Sequence, residues 1–136
     1  MLFLRQTAPR QAGNAEGNTN RGETENIMKL SELIRQLNLT LLTSKDYADR
    51  EIGGCYIGDL LSWVMGRAQQ GDVWITIMNN INIVAVASLT GCACILLCED
   101  VTAGDDIIAK ADEERIVILK SGETAYKLAA RISGAI

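Results

Sequence analysis

Histidine is absent from the 136-residue chain, proline occurs once, and aromatic residues make up only 4% of it. The missing imidazole removes the commonest general base near neutral pH and the commonest metal ligand. Ser–His and Cys–His nucleophile pairs cannot form within one chain. An enzyme would have to rest on carboxylates, lysine or cysteine, so the expected class is a non-enzyme. Basic clusters are missing too: 13 Lys and Arg are scattered and the net charge is -4. The phosphate backbone of a nucleic acid therefore has no electrostatic footing, and no nucleic-acid partner is expected. No run approaches the roughly 18 apolar residues of a membrane span. The opening "MLFL" is much shorter than the about 7–15 apolar residues of a signal peptide. No membrane partner is expected, and the expected location is the cytoplasm. The phosphate-loop patterns G-x4-G-K-[ST] and G-x-G-x-x-G do not occur either.

What is present is enough apolar material for one core. At 48% hydrophobic and 22% charged, the composition suits a single domain of ordinary size. It changes sharply near Met28. Residues 5–26, "RQTAPRQAGNAEGNTNRGETEN", are rich in Gln, Asn, Gly and Glu with no apolar periodicity. Such a segment buries too little surface to offset its ordering entropy. Residues 1–27 are therefore expected to be a disordered tail, or to precede a true start at Met28, with the folded domain over 28–136.

From Met28 the pattern becomes regular. Leu30, Leu33, Ile34 and Leu37 recur at helical spacing. "LTLLT" (Leu39–Thr43) and "CYIG" (Cys55–Gly58) read as strands. Asp59 is expected to cap a helix carrying Leu60, Leu61, Val64, Met65 and Ala68. After Gly71 and Asp72, "VWITI" (Val73–Ile77) reads as a strand. A small-residue helix follows, with Asn80 or Asn82 as its cap and Gly91 as its stop. "CACILLC" (Cys92–Cys98) is a buried strand, Thr102–Arg115 an acidic-started helix, and Ile116–Leu119 a further strand. Ser121 is expected to cap the last helix. Strands and helices alternate, and the later strands are continuous apolar runs. The predicted class is α/β, a mostly parallel sheet covered by helices on both faces.

Cys55, Cys92, Cys94 and Cys98 invite a metal reading, which geometry opposes. Residues two apart on a strand are about 6.6 Å apart, whereas sulfurs sharing one zinc approach to about 4 Å. Buried reduced thiols are the better account, with Cys98, at a strand end, left as a thiol open to oxidants. No metal or cofactor is expected. Asp49-Arg50 reads either as an ion pair pinning the turn before Gly53-Gly54 or as a contact with something outside. Trp74 is expected in the core. In open parallel sheets ligands bind beyond the carboxyl ends of strands. Those ends offer Asp59, then Asn79 and Asn80, then Thr102, with no base–nucleophile pair among them.

Over "DREIGGCYIGDLLSWVMGRAQQGDVWITI…NIVAVASLTGCACILL" the chain resembles the DRTGG domain family. The likeness covers nearly all of Met28–Ile136. Asp49, Arg50, Gly53 and Gly54 carry the family signature, with Glu51 and Ile52 standing where the family name implies one residue. "Y-x-x-D-L-L-S" (Tyr56, Asp59, Leu60, Leu61, Ser62) is similar to stand-alone members. The chain is also similar to the amino-terminal domain of HPr kinase/phosphorylase. More distantly, through Gly71-Asp72-Val73, it resembles the substrate-end domain of Mur ligases. The resemblance implies a non-catalytic regulatory or dimerising module, a homodimer acting on a separately encoded partner enzyme. The alternative is a sensor of a nucleotide or phosphate ligand at the strand ends. Candidate interface or ligand residues are thus Asp49, Arg50, Gly53, Gly54, Asp59, Asn79, Asn80 and Thr102.

Overall fold

The structure, a computed structural model, describes residues 27–136. The expectations for residues 1–26 lie outside the described ones. In chain order the elements are β1 (Met28–Lys29), α1 (Leu30–Gln36), β2 (Thr40–Leu41), β3 (Glu51–Ile52) and β4 (Gly54–Ile57). Then come α2 (Leu61–Arg67), β5 (Asp72–Thr76), α3 (Asn82–Thr90), β6 (Cys94–Leu97), α4 (Asp105–Glu113), β7 (Ile118–Lys120) and α5 (Ala125–Ala135). The five-stranded sheet runs β2-β7-β6-β5-β4, and β1 pairs with β3 in a separate two-stranded ribbon.

Alternation of side chains along the strands builds two cores. Val73 and Ile75 of β5, Cys94 and Leu96 of β6 and Leu119 of β7 face α1 and α5, through Leu30, Leu33, Leu37, Leu128 and Ile132. Trp74, Ile95, Leu97 and Ile118 face α2, α3 and α4 on the other side, through Val64, Ile83, Val86, Ile107 and Ala111. The division has a topological cause. Successive right-handed crossovers that step one way across a sheet lay all their helices on one face. The steps from β4 to β7 do this, so the second face would be bare without α1 and α5. The expected three-layer, mostly parallel α/β fold is the one found. Trp74 is fully buried, and its indole N–H donates to the Gly58 carbonyl at 2.9 Å.

Three parts differ from expectation. β2 joins the sheet antiparallel to β7, since the chain enters from α1 on the far side and needs no crossover. The ribbon of β1 and β3 is too short to show a period in sequence. The caps also move. Thr124, not Ser121, receives the Lys127 N–H at the start of α5. Ile81 precedes α3 without a side-chain cap, while Asn80 accepts from the Asn82 N–H at 2.9 Å.

Gly91 ends α3 as expected, at φ 75. A Cβ there would also lie 3.2 Å from Gln70 Cγ. Gly91→Ala is therefore expected to destabilise the domain by about 1–2 kcal/mol, measured as a lower midpoint in urea with an unchanged slope. An unaltered midpoint would contradict the assignment.

Candidate functional site

Asp49 and Arg50 form a structural node, but not with each other. Asp49 accepts from the Ser31 N–H at 2.8 Å and from the Ser31 hydroxyl at 2.7 Å. It thereby satisfies a free donor in the first turn of α1. The Ser31 hydroxyl bond, joined by the Ser31 N–H, holds the Asp49 carboxyl below its usual range. Arg50 works at two further points. Its carbonyl accepts from the Leu30 N–H at 2.8 Å, and its Nη1 donates to the Cys92 carbonyl at 2.8 Å. Of the two readings of Asp49-Arg50, the internal ion pair is absent among the described residues. Successive side chains of chain entering a strand point to opposite sides.

Gly53 and Gly54 continue this seam along the amino ends of the strands. The Gly53 N–H donates to the Gly71 carbonyl and the Gly71 N–H to the Gly91 carbonyl, each at 2.9 Å. Gly54 pairs in register with Asp72, and the two approach closely. A Cβ on Gly54 would lie 2.9 Å from Asp72 Oδ1, whereas one on Gly53 meets nothing nearer than 3.5 Å. Asp72 is buried, and its carboxylate accepts from the Gln69 N–H at 2.8 Å. Burial raises its pKa, against the lowering effect of that hydrogen bond. Burial, with the neighbouring Asp72 charge, pushes the Cys55 thiol up to about 12.

A cleft of about 560 Å³ opens at this same end of the sheet. Its floor is the chain entering β6 and β7, with Cys92, Ala93, Ile116 and Val117; its rim is the loop after β2, with Asp46, Tyr47 and Arg50. Asp112, which accepts from the Ser44 N–H at 2.7 Å, ties that loop to the end of α4. Arg115 also lines the cleft, at φ 60. It occupies the left-handed position after α4, where the Ile116 N–H donates back to the Ala111 carbonyl. Glycine is usual there, and a side chain costs roughly 1–2 kcal/mol. Neither Arg50 nor Arg115 makes an ion pair among the described residues, although Asp46, Asp112 and Glu113 line the same cleft.

The other four candidate residues lie at the opposite, carboxyl end. Asp59 is not a helix cap, because α2 starts after Leu60. It accepts instead from the Thr76 hydroxyl at 2.8 Å and the Ile77 N–H at 3.0 Å, closing the ends of β4 and β5 together. Asn79 donates to the Thr102 carbonyl at 2.9 Å, linking the loops after β5 and β6. Asn80 holds the start of α3, as described above. Asp59, Asn79 and Asn80 are thus each engaged within the fold, and exposed apolar side chains stand near them. Ile57, Leu60, Trp63 and Ile77 are 49%, 61%, 55% and 47% exposed. They do not all share one face: Ile57, in register with Ile75, is on the α1/α5 face, whereas Leu60 and Trp63, at and just after the start of α2, belong to the layer on the other face. Arg67 lies over the Trp63 ring at 3.9 Å.

All four cysteines are free thiols. Cys98 is 2% exposed, and burial raises its pKa, which corrects its reading as an oxidant-sensitive thiol. Among the described residues no group of His, Cys, Asp or Glu is placed to hold a metal ion. No helix among them is long and apolar enough to cross a membrane. Sequence reasoning missed Asp46, Tyr47 and Arg115. The one available signal was "DEERIVIL", a helix running into a strand with no glycine between them.

Fold and site together define a three-layer α/β domain whose candidate polar side chains largely fasten backbone. A family model of the DRTGG domain matches residues 32–135, and the chain belongs to that family. A solved structure is similar in fold: the CBS and DRTGG domains of the regulatory region of Clostridium perfringens pyrophosphatase, complexed with its activator diadenosine tetraphosphate. The TM-score is 0.61 at 12% identity, covering 79% of this chain and 46% of that one. This chain thus spans less than half the length of that neighbour. No curated protein matches it.

The close approach of Gly54 to Asp72 generates two predictions. Gly54→Ala is expected to destabilise by about 1–3 kcal/mol through overpacking, while Gly53→Ala stays within about 0.5 kcal/mol. Equal losses in chemical denaturation would contradict the geometry. Asp72 also sets a pH dependence. Its folded pKa is raised, so above the unfolded value of about 3.9 the native state holds the extra proton. Its contribution to stability therefore falls as pH rises through the folded pKa. Asp72→Asn keeps an oxygen for the Gln69 N–H and removes this loss. Its thermal midpoint relative to the parent protein is expected to climb with pH over that window and then level off; a constant difference would contradict the raised pKa.

Proposed function

We propose that this domain is a non-catalytic regulatory module that self-associates and acts on a separately encoded partner enzyme. The observation carrying the reading is the apolar carboxyl end beside β4. Among the described residues β4 is an edge strand, with β5 as its one sheet neighbour. One side of its backbone is thus open to another chain, next to exposed Ile57, Leu60 and Trp63. Exposed strand edges and contiguous apolar patches are pairing surfaces that unassociated proteins avoid. Membership of the DRTGG family supports a regulatory role, as does the regulatory region named for the neighbour in fold. So does the resemblance to the HPr kinase/phosphorylase amino-terminal domain, shared without a phosphate-binding loop. The more distant resemblance to Mur ligases concerns the strand entry Gly71-Asp72-Val73 alone. The pairing is expected to be a two-fold homodimer, since an edge strand can pair with its own copy.

The second reading is a small-ligand sensor, taking a nucleotide or phosphate, as the activator named in the neighbour's complex suggests. A ligand at the carboxyl ends of the strands would have to break the internal bonds of Asp59, Asn79 and Asn80. The amino-end cleft carries no such cost.

Sedimentation at micromolar concentration separates these readings. The parent protein is expected to be a dimer, and Leu60→Glu and Trp63→Glu are expected to be monomers. Their thermal midpoints should otherwise change little, because exposed positions usually alter stability by less than about 0.5 kcal/mol. A monomeric parent protein, or a dimer that tolerates both glutamates, would overturn self-association through this face.

A further inference from the structure

The amino-end cleft is a pocket among the described residues, and its chemistry limits what fits. At about 560 Å³ it lies in the range of small-molecule pockets. Ile116, Val117 and Ala93 supply an apolar floor, and half-buried Tyr47 an aromatic wall. Both signs of charge line it. Arg50 has one hydrogen bond among the described residues, out of five N–H donors. Arg115 has none among the described residues and is held in a backbone conformation that a side chain normally avoids. Against them stand Asp46 and Glu113; Asp112 is already engaged with the Ser44 N–H, and Glu113 is near Lys110 at 3.7 Å.

A polyanion would meet these carboxylates, and a simple cation would meet the two guanidinium groups. A molecule carrying one charge of each sign meets neither conflict. We propose that the cleft binds a small zwitterion of amino-acid type, its carboxylate on Arg50 and Arg115 and its ammonium towards Asp46. An apolar side chain of the ligand would rest on Ile116 and Val117. The site lies at the opposite end of the sheet from the association surface, so its failure and the failure of self-association are read independently.

The strained position of Arg115 supplies a variant that separates function from folding. Arg115→Gly removes the guanidinium and also relieves the left-handed backbone, so the empty protein should keep or raise its thermal midpoint. The full-length parent protein is screened by thermal shift against the standard amino acids at millimolar concentration, with inorganic phosphate and adenosine nucleotides as comparison probes. At ten times its dissociation constant, a binding amino acid is expected to raise the midpoint by about 5 °C. Arg115→Gly and Arg50→Ala should each abolish that rise, and the Arg115→Gly result cannot be ascribed to misfolding. No rise with any amino acid, a rise with phosphate or nucleotide only, or a full rise retained in Arg115→Gly would each overturn the proposal.

Discussion

The fold depends on how residues 49 and 50 are tied to the rest of the chain. Asp49 fastens the first turn of α1 through Ser31, and the Arg50 carbonyl takes the Leu30 N–H of the same turn. The Arg50 side chain then reaches the Cys92 carbonyl, just before β6. Two adjacent residues thus join the helix on one face, the ribbon and the central strands. Such bonds are worth more than exposed ion pairs because each satisfies a backbone group that folding would otherwise leave without a partner. The tie fixes the start of α1, while burial of Leu30, Leu33 and Leu37 holds the helix on the sheet.

Asp49 holds structure alone, whereas Arg50 holds structure and also lines the amino-end cleft. At the carboxyl end Asp59, Asn79 and Asn80 direct their hydrogen bonds to neighbouring groups of the fold, near exposed apolar side chains and the β4 edge. At the amino end the node holds a loop over the entries of β6 and β7 and leaves a cleft with unpaired charges. The two ends differ in chemistry, and a module with one face for association and another for a small molecule is the arrangement a regulatory domain needs.

Much of this was legible in the sequence. Cys92–Cys98 is apolar at every position and Val73–Ile77 at all but Thr76, because both faces of their strands are covered, and that pattern identified a parallel sheet. Gly91 was readable as a helix stop, since its left-handed conformation favours glycine. The edge strand β2 was legible within Leu39–Thr43, but the ribbon was too short to show a period, and the antiparallel pairing of β2 was not legible. Nor was the separation of Asp49 from Arg50, because a neighbouring acid and base look paired in one dimension. Of the eight candidate residues, four fall at each end of the sheet, a division set by crossovers that local spacing does not encode. The cleft escaped notice for the same reason: Tyr47, Cys92 and Arg115 meet only through the fold.

The central claim is this division between an associating carboxyl end and a polar amino end. Amide hydrogen exchange at high and low protein concentration tests it most directly, since exchange reports local opening segment by segment. The account predicts that dilution speeds exchange in residues 54–65, the open edge of β4 and the start of α2. Residues 43–50 and 112–117, around the cleft, should exchange at the same rate at both concentrations. Concentration-dependent protection around the cleft, or none in β4 and α2, would contradict it.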